Sequence, residues 1–155
     1  MLKRLQATKT QEGTMTIRFK IQGPPIAKMR PRFRRYGKTY DPQEKEKERW
    51  QWEVKHQLHE QGLFTGFLKL LSGPIMLRLT FYMPLPKSTP KKTIKAIQEG
   101  KIIWHIKKPD SKNLLAWVED CLNKFIWEDD SQVCFPIVMK FYDIEPRTEI
   151  EIEEI

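Results

Sequence analysis

Cysteine is scarce in this chain. Its 155 residues include two cysteines, Cys121 and Cys134, and neither lies close in sequence to a second pair of metal ligands. This spacing disfavours a zinc cage, which needs four nitrogen or sulfur ligands. We therefore expect two reduced thiols and an intracellular, cytoplasmic protein.

Long apolar stretches are lacking as well. A helix that spans a bilayer needs about 20 mostly apolar residues, and the sequence contains no such stretch. The first ten residues are basic but lack the apolar core of a signal peptide. We expect no membrane partner, and we expect residues 1–14 to be a disordered extension outside the fold.

Acidic residues are rare over most of the chain. Residues 1–108 contain 24 Lys and Arg against 8 Asp and Glu, whereas residues 109–155 contain 4 against 12. Such a basic body suits a polyanion, because Lys and Arg neutralise phosphates and release their counterions. The charge favours nucleic acid, although acidic membranes and acidic proteins would attract the same surface.

The distribution of apolar residues predicts one α+β domain. With 39% hydrophobic and 11% aromatic residues, the chain can form a single core. Alternating apolar residues predict strands, and apolar residues at helical spacing predict helices. The predicted order is a strand at 16–21, a helix at 42–61, a strand at 74–82, helices at 91–100 and 110–125, and strands at 132–142 and 148–153. We expect a small mixed sheet of about four strands with helices packed on it, in one domain over residues 15–155.

A basic segment follows the first predicted strand. Residues 28–38 contain six Lys and Arg, with Phe33 and Tyr36 between them. Pro31 and Gly37 exclude a continuous helix, so the segment is predicted to be an exposed loop. Its cations are candidates for phosphate contacts, and a merely solvated loop is the alternative.

Two acidic segments are candidates for chemistry. Asp110 stands at the start of a predicted helix, and Glu128, Asp129 and Asp130 stand before a predicted strand. If both segments lie at one end of the sheet, their carboxylates could hold Mg²⁺ together with a substrate phosphate. Each segment also has a structural interpretation, since aspartate is a good helix N-cap and consecutive acids are common in solvated turns.

The order of several short motifs resembles the RusA family of Holliday-junction resolvases, especially its phage-associated branch. The resemblance runs from about Thr16 to the end of the chain. The motifs are Gly23-Pro-Pro25 with Lys28-x-Arg30-Pro31-Arg32, then Lys108-Pro109-Asp110-x-x-Asn113, Asp120-x-Leu122-Asn123, Asp129-Asp130-x-Gln132 and Glu145-Pro-Arg147-Thr-Glu149-Ile-Glu151. Each motif alone is weak, and the resemblance depends on their order and spacing.

The resemblance implies a homodimeric, magnesium-dependent endonuclease that nicks opposing strands of a four-way DNA junction, with Mn²⁺ as a possible substitute. It implies catalytic and metal-binding roles for Asp110 and Asp130, with Asp129 as an adjacent metal ligand. The family pattern is Pro-Asp-x-Asp-Asn, and Lys112 occupies the place of its second aspartate. Lys112 is therefore a catalytic candidate that could serve the phosphate. Some members carry a lysine one helical turn later, where this chain has Ala116.

The remaining candidate roles, which the residues themselves suggest, are DNA binding and support of the site. The DNA-binding candidates are Lys28, Arg30, Arg32, Arg34, Arg35 and Lys108. Asn113 and Asp120 lie seven residues apart on the polar face of the predicted helix. Both are candidates for orienting the metal ligands from behind.

Three functions are compatible with the sequence. The first is a structure-selective endodeoxyribonuclease that resolves Holliday junctions in DNA recombination and repair. The second is a catalytically inactive relative that only binds junctions, and the third is a general basic nucleic-acid-binding module. Magnesium-dependent nicking separates the first function from the others, and preference for a junction over a duplex separates the second from the third.

Overall fold

The structure is a computed structural model that describes residues 8–9, 15–63 and 70–155. Within these ranges the structure contains the strands and helices that the sequence predicts, in the predicted order, together with one additional short strand. The strands are β1 (Thr8–Lys9), β2 (Met15–Gln22), β3 (Ile75–Pro84), β4 (Val133–Asp143) and β5 (Arg147–Glu154), and the helices are α1 (Glu44–Glu60), α2 (Lys91–Gln98) and α3 (Ser111–Leu122). The predicted α+β class, with a small mixed sheet in a single domain, is confirmed.

The sequence does not predict β1. This strand of two residues pairs antiparallel with the start of β2, Thr8 opposite Thr16 and Lys9 opposite Met15. It falls in the segment 1–14 that we expect to be an extension. The other residues of that segment lie outside the described residues, so its predicted disorder stays a prediction.

The sheet has the strand order β1-β2-β5-β3-β4. β3 and β4 are parallel, and β5 pairs antiparallel with both β2 and β3. The C-terminal strand therefore lies inside the sheet, between strands that precede it by many residues. β4 lies at one edge of the sheet, which agrees with the position of Pro136 in its sequence.

Two helices cover the apolar face of the sheet. α1 buries Trp50, Val54 and Leu58, which confirms the core position that their spacing predicts. α3 buries five side chains, and the rings of Trp50 and Trp117 meet edge to face with centroids 6.0 Å apart. Because its apolar stripe is buried, α3 presents its polar residues on the accessible side of the domain.

The other face of the sheet carries ion pairs between distant parts of the chain. Glu151 of β5 contacts Arg18 of β2 at 2.9 Å and Arg78 of β3 at 3.8 Å. In the same strand, Glu149 contacts Arg147 at 2.9 Å. Glutamates near the end of the sequence thus neutralise cations of the sheet itself.

The structure also bears on the predicted compartment. Cys121 is buried, Cys134 is exposed, and both are free thiols. In the described part of the chain, no helix is long and apolar enough to cross a membrane. The cytoplasmic location stays a prediction.

Candidate nucleic-acid interface and carboxylate site

Residues 28–40 form a projection between β2 and α1, which we call the basic arm. Every residue of the arm is exposed. Arg32 and Tyr40 close its neck, because each backbone N–H donates to the carbonyl oxygen of the other at 3.1 Å. The exposed loop predicted from the sequence is confirmed. Its outgoing and returning segments are held together at the neck.

The cations of the arm are available to a ligand. Among the described residues, no acidic side chain forms an ion pair with Arg30, Arg32, Arg34, Arg35 or Lys38. The guanidinium of Arg34 lies over the ring of Tyr40, 4.9 Å from its centroid, an attractive geometry that leaves the positive charge in place. The arm therefore concentrates uncompensated positive charge, in contrast to the paired cations of the sheet.

The root of the arm is attached to the first turn of α3 and to the residue before α1. The backbone N–H of Lys28 donates to the carbonyl oxygen of Asn113 at 3.0 Å. The buried side chain of Gln43 accepts from the N–H of Met29 at 2.7 Å and donates to the carbonyl of Ala27 at 2.8 Å. These bonds fix the direction in which the arm leaves the domain.

Asp120 lies behind the arm root. Its two carboxylate oxygens contact the ammonium groups of Lys28 at 3.4 Å and Lys47 at 3.2 Å. Asp120 therefore connects the arm, α1 and α3. Its predicted role behind the metal ligands, and that of Asn113, stay predictions.

Asp110 occupies the N-cap position of α3 without using its side chain as a cap. Its backbone is extended, and its carboxylate makes no capping hydrogen bond. The exposed carboxylate is thus open to a ligand at the positive end of the helix. The backbone just before it is held in place, because Lys140 donates to the carbonyl oxygens of Lys107 at 2.6 Å and Pro109 at 2.7 Å.

Asp129 belongs to a tight turn that precedes β4. Its carboxylate accepts from the backbone N–H of Ser131 at 3.0 Å and from the Ser131 hydroxyl. These hydrogen bonds lower the pKa of Asp129. Gln132 completes the turn, since it accepts from the N–H of Asp129 at 2.7 Å and donates to the carbonyls of Leu71 and Gly73.

Asp130 is oriented by the core. The indole Nε1 of Trp127, a fully buried side chain, donates to Oδ1 of Asp130 at 2.9 Å. The other carboxylate oxygen has no hydrogen-bond partner among the described residues. Asp130 therefore offers one held oxygen and one that is open to a ligand.

Glu119 lies close enough to the candidate Asp130 to feel its charge, and the sequence motifs do not indicate it. It is half-buried on α3, and burial, together with the negative charge of Asp130, raises its pKa. Residues 112, 116 and 119 follow the i, i+4, i+7 spacing of one helix face. That spacing from Lys112 is the signal by which the sequence could have identified Glu119.

Metal binding depends on how the candidate carboxylates are arranged in the fold. Within the described ranges, no group of three or more His, Cys, Asp or Glu side chains is arranged to hold a metal ion. Mg²⁺ needs only one or two carboxylates when waters and substrate phosphates complete its coordination. Asp110 and Asp130 each have a carboxylate oxygen without a hydrogen-bond partner among the described residues, and their role as metal ligands stays a prediction.

Some of the candidate residues lie at the N-terminal end of α3 or are bonded to it. Lys108 and Lys112 flank Asp110 in the sequence, and both are exposed without an ion pair among the described residues. Asn113 holds the arm root, and Asp120 holds the Lys28 ammonium one to two turns further on. Arg34 and Arg35 lie apart from this group, beyond the neck of the arm.

The molecule is thus a small α+β protein in which a basic arm is anchored beside exposed carboxylates. The family model described as endodeoxyribonuclease RusA matches residues 22–153. A relative from Bacillus subtilis (strain 168), named as uncharacterized protein YqaN, is 34% identical over 145 residues, which are 90% of this chain and 96% of that protein.

The chain belongs to the RusA endodeoxyribonuclease family. Membership confirms the resemblance seen in the sequence and indicates a nuclease of the Holliday-junction resolvase type, active on branched DNA in recombination. Such nucleases generally depend on a divalent metal. The phage-associated branch stays a prediction.

Proposed function

We propose that this protein is a structure-selective endodeoxyribonuclease that resolves four-way junctions by paired nicks, in DNA recombination and repair. We propose Mg²⁺ as its metal, with Mn²⁺ as a substitute. The observation that supports this most directly is the attachment of the basic arm, through Lys28 and Asn113, to the helix end that presents Asp110. DNA held by the arm would pass close to that carboxylate.

Phosphate binding is assigned to the exposed cations. Lys28, Arg30, Arg32, Arg34, Arg35 and Lys108 are the residues that would contact the DNA backbone. Phosphate contacts position a protein on DNA without reading its sequence. Selectivity for a junction must therefore come from the shape of the DNA and from the spacing of the basic surfaces.

The carboxylates are assigned to the metal. Asp110 and Asp130 would hold it, with Asp129 as an adjacent ligand. When bound, a divalent ion would polarise the attacking water and stabilise the charge that develops on the phosphate. Trp127 orients Asp130, and Lys140 orients the backbone before Asp110, so both ligands are held by the domain before DNA arrives.

Lys112 is assigned to the phosphate that is cut. It lies in the first turn of α3, two residues after Asp110, with an exposed ammonium group. A fixed cation near the non-bridging oxygens stabilises the transition state more than the ground state. Asn113 and Asp120 act indirectly in this proposal, since they position Lys28 and the arm root.

A homodimer is part of the proposal. A four-way junction offers two equivalent strands, whereas each chain carries one set of carboxylates. A twofold-symmetric pair of domains, each formed by residues 15–155, would present two sites at a fixed separation. Symmetric cutting follows from that arrangement.

The alternative function is that of a catalytically inactive junction-binding relative. The observation that favours it is Lys112, which replaces a carboxylate of the family pattern with an ammonium group. A basic nucleic-acid-binding module without junction preference is the third candidate. Its support is the charge of the arm alone.

The three functions are separated by one set of assays. A labelled four-way junction and a duplex of equal length are incubated with the protein, with Mg²⁺ or with EDTA. We expect paired nicks in the junction with Mg²⁺ only, and tighter binding to the junction than to the duplex. Binding without nicking would contradict the nuclease and favour the inactive relative, and equal binding to both DNAs would favour the general module.

A carboxylate variant tests the site itself. Asp130→Asn should abolish nicking, while junction binding in EDTA stays equal or becomes tighter because one phosphate-repelling charge is lost. Glu145→Gln is the matched control, since it removes an exposed carboxylate outside the site. Full nicking by Asp130→Asn would reject Asp130 as a metal ligand.

A further inference from the structure

The tip of the basic arm carries two large aromatic side chains that contribute nothing to the core. Phe33 is 84% exposed and Tyr36 is 94% exposed. Neither ring contacts another ring or takes part in a cation–π pair among the described residues. Apart from residues 36–38 themselves, no heavy atom of the described residues lies within 4 Å of the place where a Cβ on the adjacent Gly37 would be. The tip therefore projects into solvent.

The tip is held out by an ordered neck. The paired Arg32 and Tyr40, with Arg34 over the Tyr40 ring, separate residues 33–39 from the rest of the chain. The turn at the end of the arm includes Tyr36. Four residues beyond the neck can extend by at most roughly 13 Å, which is about four base-pair steps of a duplex.

We propose that Phe33 and Tyr36 stack on nucleobases whose faces are left unstacked at the branch point of the DNA that the arm binds. The inference rests on the proposed function, because it assigns the feature of branched DNA that the arm recognises. Unstacked bases are the ligand class, since their faces are accessible to aromatic rings, whereas the bases of a continuous duplex are already stacked.

Charge complementarity supports a nucleic acid at this tip. Arg34 and Arg35 lie between the two aromatic residues, and no acidic residue occurs between positions 13 and 40. Alternation of cations and aromatic rings is the pattern by which proteins hold single strands, the cations on phosphates and the rings on bases. An acidic protein partner would match the charge but would give the two rings no stacking surface.

The attachment of the arm to α3 relates the proposed stacking contact to the place where the strand is cut. The root is bonded to Asn113, three residues after Asp110, so the tip and the carboxylates are fixed on one domain. A base held by Tyr36 would therefore set the distance from the branch point to the strand at Asp110. Phe33 and Tyr36 are specificity-determining residues in this proposal, not catalytic ones.

Single substitutions test the proposal. Tyr36→Ala and Phe33→Ala should each weaken binding to a four-way junction by roughly 5- to 150-fold per stacked base. Binding to a continuous duplex should change less than about twofold, and the salt dependence should stay the same, because no phosphate contact is lost. Tyr36→Phe should retain junction binding, since it keeps the ring.

Trp52→Ala is the matched control. Trp52 is also exposed, at 63%, but it lies on α1 and stacks on His56 with ring centroids 5.2 Å apart. It should leave binding to both DNAs unchanged. Since the tip rings are almost fully exposed, unaltered thermal unfolding of Tyr36→Ala and Phe33→Ala would show that any loss comes from DNA contact.

A fluorescent base reports the contact directly. 2-Aminopurine placed at the branch point should change its emission on binding the unaltered protein, and Tyr36→Ala should remove that change. No loss of junction affinity, or an equal loss for junction and duplex, would overturn the proposal.

The same titration includes a single-stranded oligonucleotide carrying 2-aminopurine. If the unaltered protein shows no junction preference, the proposed function fails. The stacking proposal is then tested on the single strand alone. Weaker binding of the single strand by Tyr36→Ala would support stacking, and unchanged binding would overturn it.

Discussion

Glu119 and Asp130 illustrate how two carboxylates from separate elements share one environment. Glu119 comes from the polar face of α3, and Asp130 from the turn before β4. Burial and the charge of Asp130 oppose ionisation of Glu119, whose pKa is raised. The nearby Lys28 ammonium lowers this pKa without reversing the shift. The two carboxylates therefore concentrate negative charge, and a bound cation would reduce the repulsion between them.

The electrostatic coupling between Glu119 and Asp130 should make the free energy of unfolding depend on pH. A carboxyl group whose pKa is raised in the folded state favours folding while it is protonated and loses that contribution as pH rises through the raised pKa. Glu119→Gln should therefore be more stable than the unaltered protein at pH 7.5. The advantage should shrink at pH 4, near the usual range of glutamate.

Thermal unfolding at the two pH values measures the difference. Glu99→Gln, an exposed glutamate of the α2 C-terminus, is the control and should show little change at either pH. A Glu119→Gln variant that is less stable at pH 7.5 would contradict the coupling.

Lys112 decides between the active and inactive interpretations. If its ammonium stabilises the transition state, Lys112→Ala should lower the nicking rate by roughly 100-fold, the usual effect of losing one such group. Junction affinity should fall much less, because the arm cations remain. Single-turnover nicking with Mg²⁺ measures the rate.

The inactive interpretation predicts a different result for a substitution of Lys112. If the natural protein does not nick and Lys112→Asp does, the protein is an inactive relative in which Lys112 prevents metal-dependent cutting. Lys92→Asp on α2 is the control for the same charge change elsewhere. Nicking by neither Lys112 variant nor the natural protein would reject the nuclease assignment.

At the scale of elements, the arm and α3 act as a unit. α3 is fixed by its buried stripe, and the arm is fixed to α3 by Lys28 and to the start of α1 by Gln43. Asp120 adds ion pairs to Lys28 and Lys47 at the same place. The arm therefore has a defined root although all of its residues are exposed.

Salt dependence tests the arm as the phosphate-binding element. The triple change of Arg30, Arg32 and Arg34 to alanine should reduce the slope of log affinity against log salt by about 0.9 for each lost phosphate contact. Changing Lys91, Lys92 and Lys95 of α2 to alanine removes the same charge from a different surface. Equal changes of slope in the two variants would contradict a specific role of the arm.

At the scale of the whole molecule, the fold redistributes the charge of the sequence. The formal net charge is +8, yet Glu151 of β5 pairs with Arg18 and Arg78 of the neighbouring strands, and Glu149 pairs with Arg147 within β5. Positive charge without such partners is left on the arm and around the start of α3. A polyanion would therefore be attracted to the arm and to the helix end that carries Asp110.

Assembly is the remaining prediction at this scale. Two cuts in one junction require two sites, so light scattering at micromolar concentration should report about twice the chain mass of 18.6 kDa. A stable monomer that makes both nicks simultaneously would contradict the dimer. A junction variant with one uncuttable strand should still be nicked once, since each domain carries its own carboxylates.

The sequence by itself determined the elements and the exposed arm. The spacing of Trp50, Val54 and Leu58 predicts a packed helix, and Pro31 with Gly37 excludes a helix in the arm. These signals are local, because helix period, strand alternation and the backbone limits of Pro and Gly act over a few residues. The candidate carboxylates were likewise visible, since they stand at predicted element boundaries.

Only the tertiary structure decided which distant residues share an environment. β5 enters the sheet between β2 and β3, and this register brings Glu151 to Arg18 across 133 positions. Two further contacts depend on the same packing. They are the hydrogen bond of Lys140 to the backbone before Asp110 and the repulsion between Glu119 and Asp130. Such contacts form because buried apolar faces fix the elements in one arrangement, and no local pattern in the sequence specifies that arrangement.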